Sequence, residues 1–478
     1  MSWTECPGDP ASTNLRPQVG ERGHPAGSLR RLIGKPPESW RASDLVELVR
    51  DRGIRLVSLM HAGGDGWLKT LDFAPRSLSH LEDVLLGGER ADGSSLFAGS
   101  GIRAGASDIV LRPRLHRAFL DPFSPLPTLT VLCGHAGRDG GPLPESPDTI
   151  LRRADRRLRE EIGIELHALG EVEYFLGKEP SELDAYGAPD WGYHATAPFV
   201  FGEDLRRRAI GLLGEIGVPI KYGHSEVGYI PAKEENDRIW EQHEIELGLA
   251  PLPEAAENTV LTQWVLRNLA RRSGMICSFD PIVRKGHAGS GFHFHCCPMR
   301  GGEVFAGRDE TGELREPAKW LIAGLVEAGG ALMAFGNRCL GSFVRLTQGK
   351  EAPNTVFWGE FNRRALVRLP IVASAEDDRQ VGIPTVEFRL PDGSAQPYLI
   401  LAGIAQAMRY GRDAEDLEGV LARTSVDNAD GEGEDGRTPV PRNFLEVAAA
   451  LESLRGIFEA GGVFPPRMID QVLATLRP

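Results

Sequence analysis

Apolar and polar residues alternate strictly at residues 292–295, which read Phe-His-Phe-His directly after a Gly-Ser-Gly turn at 289–291. A repeat of two predicts a β-strand with both imidazoles on one face and both phenyl rings on the other. Neutral imidazole binds metal cations and protonated imidazole binds phosphate, so this strand suggests a metal–phosphate site. Alone, such a motif is more often structural or incidental.

The same patterning predicts the other elements. Strands are predicted at residues 54–60 and 67–73 as a hairpin, and then at 108–112, 129–133, 169–176, 219–222, 364–370 and 385–390. Helices are predicted at residues 43–49, 149–162, 205–216, 259–272 and 318–335. Because helices interleave with strands and several strands are adjacent in sequence, the pattern favours an α+β fold rather than a Rossmann fold.

Changes of composition divide the chain. Residues 1–38 are rich in Pro, Gly, Arg and Ser without periodicity, which predicts a mobile N-terminal arm. Residues 39–143 predict a small α+β domain, and a Gly/Pro-rich stretch leads into a large domain at 144–478. An acidic surface loop is predicted at 428–437.

Net charge and cysteine usage limit the possible functions. The 478 residues include 54 basic and 67 acidic ones, and the net charge of -13 argues against a nucleic-acid or anionic-membrane binder. The six cysteines show no disulfide spacing, no signal pattern opens the chain, and no apolar run reaches the length of a membrane span. A cytoplasmic protein is therefore predicted.

Two further predicted strands carry charged residues two positions apart, Glu171 with Glu173 and Glu387 with Arg389. Because an ion on a strand whose other face is apolar costs several kcal/mol unless it is compensated, three such strands indicate a shared cleft for a charged ligand. Carboxylates with a single histidine favour Mg²⁺ or Mn²⁺ over zinc.

More candidate residues follow along the chain. The further acids are Glu226 and Glu244, and the basic residues are Arg345, Arg363, Arg368 and Arg389. Guanidinium groups bind carboxylates and phosphates through two hydrogen bonds. A cation site beside an arginine cluster favours phosphoryl transfer onto, or ligation of, a carboxylate substrate.

Nine short motifs occur in the order found in type I glutamine synthetase, and the chain resembles that family over about residues 91–398. The motifs are Asp92-Gly-Ser-Ser95, Glu171-Val-Glu173, Gly192-Tyr193, Gly223-His-Ser-Glu226, Gln242-His-Glu244, Gly289-Ser-Gly-Phe-His293-Phe-His295, Arg345-Leu with Glu351-Ala-Pro353, Asn362-Arg363 with Arg368, and Val386-Glu387-Phe-Arg389. Each motif is weak alone, but nine in order make a chance match negligible.

The resemblance implies a β-grasp-like N-terminal domain and a catalytic domain with a curved antiparallel sheet flanked by helices. It also implies a homo-oligomer of stacked rings whose active sites lie between subunits. The implied metal ligands are Glu173, Glu226 and Glu244 for one Mg²⁺ or Mn²⁺ ion, and Glu171, His293 and Glu387 for a second ion beside the phosphates of ATP.

The implied reaction joins ammonia to the γ-carboxylate of L-glutamate, which ATP first converts to γ-glutamyl phosphate, and gives glutamine. By similarity, Asp92 takes a proton from ammonium held by Tyr193 and Glu226, and Glu351 lies in a lid that excludes water. The other implied contacts are Arg363 as a catalytic residue, Gly289, Arg345 and Arg389 with glutamate, and His295, Cys297 and Arg368 with the nucleotide.

Several residues have a second interpretation. Tyr193 is alternatively a packed aromatic residue, and Arg363 and Arg368 alternatively form a structural ion-pair network. His224 and His243 are interpreted as structural residues or as supports for the metal ligands.

Two other functions stay open. One is a γ-glutamyl ligase for another amine, such as a polyamine, ethanolamine or an alkylamine. Asp92 and Glu226 favour ammonia, whereas an insertion at 228–237, expected to loop out at the cleft mouth, leaves the larger amine open. The other is a non-catalytic ring protein that binds metabolites, which predicts loss of the metal ligands, yet all six are present. Small-molecule substrates are the predicted partners, with neither nucleic acid nor membrane.

Overall fold

Two β-sheets position the residues of the candidate site. The structure is a computed structural model, and it describes residues 28–97, 102, 105, 107–181, 184, 189–234, 237–348, 351–374, 376, 381–426 and 437–477. Most of the predicted arm and almost all of the predicted acidic loop lie outside these residues.

The N-terminal sheet contains β1 Leu56–Ala62, β2 Leu68–Phe73, β3 Glu89–Asp92, β4 Asp108–Leu120 and β5 Thr128–Ala136. The helices of this part are α1 Ser28–Ile33, α2 Ala42–Asp51, α3 Leu78–Gly87 and α4 Gly93–Leu96. The strand order is β2-β1-β5-β4-β3; β1 and β5 are parallel, and the other neighbours are antiparallel. The predicted hairpin and the β-grasp-like N-terminal fold are confirmed.

This sheet is buried on both faces. Val57 and Leu59 of β1 pack with Leu45 of α2 in the core of the N-terminal part. Met60 and Leu132, which point to the other face, belong to the core of the rest of the chain. Because successive side chains of a strand point to opposite faces, one face of the sheet packs in the N-terminal core and the other packs in the core of the rest of the chain.

The second sheet contains β6 Glu165–Lys178, β7 Ile220–Ile230, β8 Ile239–Leu247, β9 Ala250–Pro251, β10 Ile276–Ser278, β11 Phe292–Arg300, β12 Glu303–Val304, β13 Trp358–Glu360, β14 Val367–Leu369 and β15 Val386–Phe388. Its main order is β13-β14-β15-β11-β6-β8-β7; β13 and β14 are parallel, and the other neighbours in this order are antiparallel. The predicted α+β catalytic fold is confirmed, with β11 near the middle of the sheet.

The helices of this part cover the sheet. They are α5 Pro147–Arg157, α6 Glu203–Glu215, α7 Leu252–Arg272, α8 Glu316–Gly336, α9 Leu340–Thr347, α10 Pro397–Arg412, α11 Leu417–Thr424, α12 Phe444–Ser453, α13 Arg455–Glu459 and α14 Pro466–Leu476. Helices α8 and α10 pack so closely that a Cβ atom at Gly324 would clash with the carbonyl oxygen of Ala407.

Helix α8 is long and apolar enough by composition to cross a membrane, although the sequence predicted no such stretch. Inside the fold, 78% of this stretch is buried. Its apolar surface therefore packs against protein, as expected for the core helix of a globular domain.

A buried ion network joins the two parts of the protein. Arg114 and Arg117 extend from β4 towards Glu257 of α7, and Arg152 of α5 reaches the same carboxylate. Asp148 adds a second carboxylate that pairs with Arg114 and Arg152. The position of the N-terminal sheet is therefore fixed by charge as well as by apolar packing.

Two histidines are buried at the same boundary. Nε2 of His135 lies 3.0 Å from Nδ1 of His61, and Nδ1 of His135 lies 2.8 Å from the hydroxyl oxygen of Ser146. Burial lowers the pKa of His61 to about 4 and the pKa of His135 well below its usual value. Both rings are therefore neutral in the folded protein at neutral pH.

Several predicted bounds were wrong. Residues 28–33 of the predicted arm form α1, where Leu29 is buried. The predicted strand at 219–222 is the start of β7, which continues to Ile230 and includes the first residues of the predicted insertion. The cysteines in the described part of the chain are free, as their spacing predicted.

Candidate active site

Strand β11 carries the two histidines that alternate with phenylalanines. His293 and His295 lie on one face of the strand and are almost fully buried. Phe292 and Phe294 pack into the core. The predicted strand and its two faces are confirmed.

The neighbouring strands place carboxylates beside both imidazoles. The register of β6 with β11 brings Glu171 opposite His293, and β15 brings Glu387 opposite His295. Nδ1 of His293 lies 3.2 Å from Oε1 of Glu171, and its Nε2 lies 3.9 Å from Oε1 of Glu173. Nε2 of His295 lies 2.8 Å from Oε2 of Glu171. Three strands therefore contribute to one cluster.

One half of the cluster contains its own positive charge. Nη1 of Arg389 lies 2.6 Å and Nε of Arg368 lies 3.1 Å from the carboxylate oxygens of Glu387. Burial raises the pKa of Glu387, but the charges of Arg389, His295 and Arg368 hold it below its usual value. The carboxylates of Glu387 and Glu171 in turn outweigh burial and raise the pKa of His295. We call His295, Arg368, Arg389, Glu171 and Glu387 the paired half.

In the other half, the carboxylates outnumber the groups that can carry a positive charge. Glu244 of β8 lies opposite both Glu173 of β6 and His224 of β7. Nε2 of His224 is 3.2 Å from Glu244, and its Nδ1 is 3.8 Å from Glu226. Burial and then the charge of Glu173 raise the pKa of Glu226 to about 8, and burial with neighbouring acids raises that of Glu244 well above its usual value. We call Glu173, Glu226, Glu244 and His224 the acidic half.

Three groups of side chains could hold metal ions. They are Glu171, Glu173 and His293; Glu171, His295 and Glu387; and His224, Glu226 and Glu244. Carboxylate oxygens with few imidazoles suit Mg²⁺ or Mn²⁺, and a divalent cation would relieve the repulsion that raises the pKa values of the acidic half. The residues present therefore fit the implied metals.

All six predicted ligands belong to these groups, but the groups differ from the predicted division. Glu173 groups with Glu171 and His293 rather than with Glu226 and Glu244. His224, interpreted from the sequence as structural or supporting, belongs to a group itself. The assignment of ligands to individual ions remains a prediction.

Gln242, for which the sequence predicted no role, also belongs to the cluster. Its Nε2 donates to Oε2 of Glu173 at 2.8 Å and to the carbonyl oxygen of Gly289 at 3.0 Å. The backbone N–H of Gly291 donates to the same oxygen of Glu173 at 2.9 Å. Gln242 therefore fixes Glu173 against the glycine-rich turn; its place in the Gln-His-Glu motif was the available signal.

The buried guanidinium of Arg345 donates hydrogen bonds to backbone carbonyl oxygens. Its Nη1 donates to the carbonyl oxygens of Leu390 and Pro391, and its Nη2 donates to that of Arg389. Nη2 also lies 3.2 Å from Nε2 of His293. In this arrangement Arg345 braces the ends of β11 and β15, and its predicted contact with the glutamate carboxylate remains a prediction.

Glu351 and Arg363 meet at the edge of the cluster. The carbonyl oxygen of Glu351 accepts a hydrogen bond from Nη2 of Arg389 at 3.2 Å, and its carboxylate lies 3.6 Å from Nη1 of Arg363. Burial lowers the pKa of the Arg363 guanidinium, but a hydrogen bond with Tyr193 and the charge of Glu351 outweigh burial and raise it above its usual value. Tyr193 is 47% exposed and stacks on His194, so it is not a core aromatic residue.

Two predicted residues stand apart from the cluster. Asp92 caps α4, where its carboxylate accepts hydrogen bonds from Ser94 and Ser95; in the described part of the chain, its hydrogen-bond partners include no member of the cluster. Cys297 continues the His-bearing face of β11 but is buried, which raises the pKa of its thiol to about 12. The structure thus supports a neutral thiol at the predicted nucleotide contact.

Fold and site together define an α+β protein whose curved sheet carries a cluster of carboxylates and imidazoles that could hold metal ions. The family described as the glutamine synthetase catalytic domain matches residues 144–476. The chain belongs to the glutamine synthetase family.

The relatives of this chain carry more than one name. A glutamine synthetase of Neisseria gonorrhoeae is 30% identical over 432 residues, with 82% of this chain and 86% of that protein covered. A 3-hydroxylaminophenol mutase of Cupriavidus pinatubonensis is 28% identical over 469 residues, with 90% of this chain and 93% of that protein covered.

Solved structures share the fold. Plasmodium falciparum glutamine synthetase superposes with a TM-score of 0.76 at 18% identity, covering 92% of this chain and 95% of that chain. Ligand-free GmaS superposes with a TM-score of 0.71 at 20% identity, covering 91% and 95%.

Proposed function

We propose that the protein is an ATP-dependent ligase that joins an amine to the γ-carboxylate of L-glutamate through γ-glutamyl phosphate. The supporting observation is the convergence of acids and histidines from β6, β7, β8, β11 and β15 on one cleft. Ammonia, which gives glutamine, is the acceptor that the family resemblance favours. A larger amine is the second candidate, because an apolar cavity adjoins the acidic half.

The two halves of the cluster suit ligands of opposite charge. His295, Arg368 and Arg389 in the paired half offer N–H donors to phosphate oxygens. Glu226 and Glu244 in the acidic half attract cations, either a metal or an ammonium group. Bound divalent cations would neutralise charge on the transferred phosphoryl group. The sheet thus brings a phosphate-binding side and a cation-binding side next to each other.

The segment that begins at Glu351 is suited to cover the cleft. Its backbone is tied to Arg389 of the paired half, and its carboxylate faces Arg363. Glu351 has a φ of 43°, a left-handed conformation that is unfavourable for a residue other than glycine. A segment held in this way would exclude water that hydrolyses an acyl phosphate.

Phosphate release from ATP with glutamate and an amine tests this proposal, with mass spectrometry to identify the γ-glutamyl product. Glu173→Gln should lower turnover at least tenfold because it removes a member of the acidic half. Glu165→Gln is the matched control, because Glu165 lies on the same strand with an exposed side chain. Absence of product with ammonium and with every amine would refute the ligase and favour the metabolite-binding protein.

A further inference from the structure

A cavity of about 170 Å³ adjoins the acidic half of the cluster. Its apolar lining includes Trp191, Phe199, Val200 and Tyr229, and Glu226 lies in its wall. A water molecule, which is similar in size to an ammonium ion, takes about 30 Å³ in the liquid. The volume of the cavity is therefore several times the volume that an ammonium ion requires. Its size and lining are suited to a small hydrocarbon group.

A segment that pairs with the edge of β7 forms this cavity. The backbone N–H of Gly192 donates to the carbonyl oxygen of Val227 at 3.1 Å, and that of His194 donates to Ser225 at 3.0 Å. A Cβ atom at Gly192 would lie 2.6 Å from the carbonyl oxygen of Glu226, so only glycine allows this close approach. The pairing holds Trp191 and the following residues in place over the edge of the sheet.

The charge in the cavity wall is negative. Glu226 and Glu241 are among the residues that line the cavity, whereas the described residues that line it include no lysine or arginine. Glu241 accepts hydrogen bonds from the backbone N–H groups of Phe201 and Gly202. The carboxylate of Glu226 accepts one from the N–H of Val227 at 2.9 Å, which leaves it the better placed partner for a cationic ligand.

Gln242 connects the cavity to the reaction centre. Its Oε1 accepts a hydrogen bond from the N–H of Gly228 at 3.1 Å in the cavity wall. Its Nε2 donates to Glu173 in the acidic half at 2.8 Å. A ligand that places its charged end at Glu226 therefore extends from the metal-binding cluster into an apolar space.

We propose that the acceptor substrate is a primary amine with a short hydrocarbon group, whose ammonium end is held by Glu226 and whose hydrocarbon end fills this cavity. This proposal rests on the ligase function above. The ammonium first loses one proton; the nitrogen lone pair then forms a C–N bond with the γ-carbonyl carbon. The C–O bond to the phosphoryl group breaks, inorganic phosphate leaves with that electron pair, and the amide nitrogen loses a second proton.

A series of amines tests the proposal on the full-length protein with ATP, glutamate and Mg²⁺. Ammonium, methylamine, propylamine and butylamine are compared by phosphate release and product mass, with 1,3-diaminopropane as a polar analogue. Burial of apolar surface should raise kcat/KM about fourfold for each added methylene group. Diaminopropane should fall below butylamine, because its second charge would meet apolar side chains and the Glu241 carboxylate, which already accepts hydrogen bonds from the N–H groups of Phe201 and Gly202.

Two variants test whether the cavity causes the preference for butylamine over ammonium. Val200→Phe fills it, and the ratio of kcat/KM for butylamine to that for ammonium should fall at least tenfold. Phe199→Ala removes an exposed wall residue, so it should lower the same ratio without affecting folding. Leu445→Ala, an exposed apolar residue of α12, is the matched control and should leave the ratio unchanged.

The two possible failures are distinguishable. If ammonium is turned over best and Val200→Phe leaves the ratio unchanged, the cavity assignment is wrong while the ligase function stands. If no amine releases phosphate, the ligase function is wrong, and calorimetric titration with butylamine then decides on the cavity. Binding that is weakened by Phe199→Ala supports the cavity as an amine site, and absence of binding overturns it.

Discussion

Replacement of Glu257 by glutamine is expected to destabilise the protein strongly, because this buried carboxylate joins the two parts of the chain. The side chain of Glu257 is 1% exposed, and its oxygens lie 2.5 Å from Arg114, 2.6 Å from Arg117 and 2.9 Å from Arg152. Burial raises its pKa, but the charges of the three arginines, with Arg117 the largest, lower it below the usual value. The carboxylate is therefore ionised in the folded protein.

The size of the effect follows from the partners that remain. Asp148 still pairs with Arg114 and Arg152 after the substitution. Arg117 loses its carboxylate and keeps, among the residues that the structure describes, a hydrogen bond to Asn258 Oδ1 at 2.8 Å. One buried charge is thus left uncompensated, which costs roughly 3–5 kcal/mol in free energy of unfolding.

Urea unfolding followed by tryptophan fluorescence measures this free energy. Glu418→Gln is the control, because the Glu418 side chain is 71% exposed and pairs with Lys319 at the surface. An exposed pair of this kind contributes less than about 1 kcal/mol. If Glu257→Gln shifts the unfolding free energy no more than Glu418→Gln does, the network is not what holds the N-terminal sheet in place.

Three further outcomes are expected. Burial lowers the pKa of His61 to about 4 and the pKa of His135 well below its usual value, so folding disfavours protonation of both rings. The stabilisation is complete above pH 6.5 and is lost as the pH falls towards 4, and His61 alone contributes roughly 3 kcal/mol. A flat profile of the urea-unfolding free energy over this pH range would contradict this expectation. Mg²⁺ should raise the Tm of the wild type more than that of Glu244→Gln in a thermal melt, and equal shifts would exclude Glu244 as a ligand. If Asp92 serves a neighbouring subunit, co-assembled Asp92→Asn and Glu244→Gln chains should regain phosphate release that neither variant shows alone; no gain would argue against a shared site.

The sequence predicted what depends on local periodicity. The alternation at residues 292–295 identified β11 and the face on which its histidines lie, because a strand has a fixed period of two. The apolar stripe of residues 259–272 likewise identified most of α7. Both signals are contained in a few consecutive residues.

What the sequence did not predict depends on distant pairing. The grouping of His224 with Glu226 and Glu244 requires the register of β7 with β8, which shifts between Ser225 and Tyr229. No local period specifies a register or a bulge. The same limit explains why the cavity was missed, since its wall forms only where residues 190–194 pair with the edge of β7.

The rigid attachment of the first sheet has a consequence for assembly. Since Glu257 holds β4 against α7, the edge that carries Asp92 projects from the subunit in one fixed direction. In any closed assembly where that edge completes a neighbour's site, the angle between successive subunits is determined inside each chain. Substitutions at this boundary would then alter both the number of subunits in the closed assembly and the position of Asp92 in the neighbouring site.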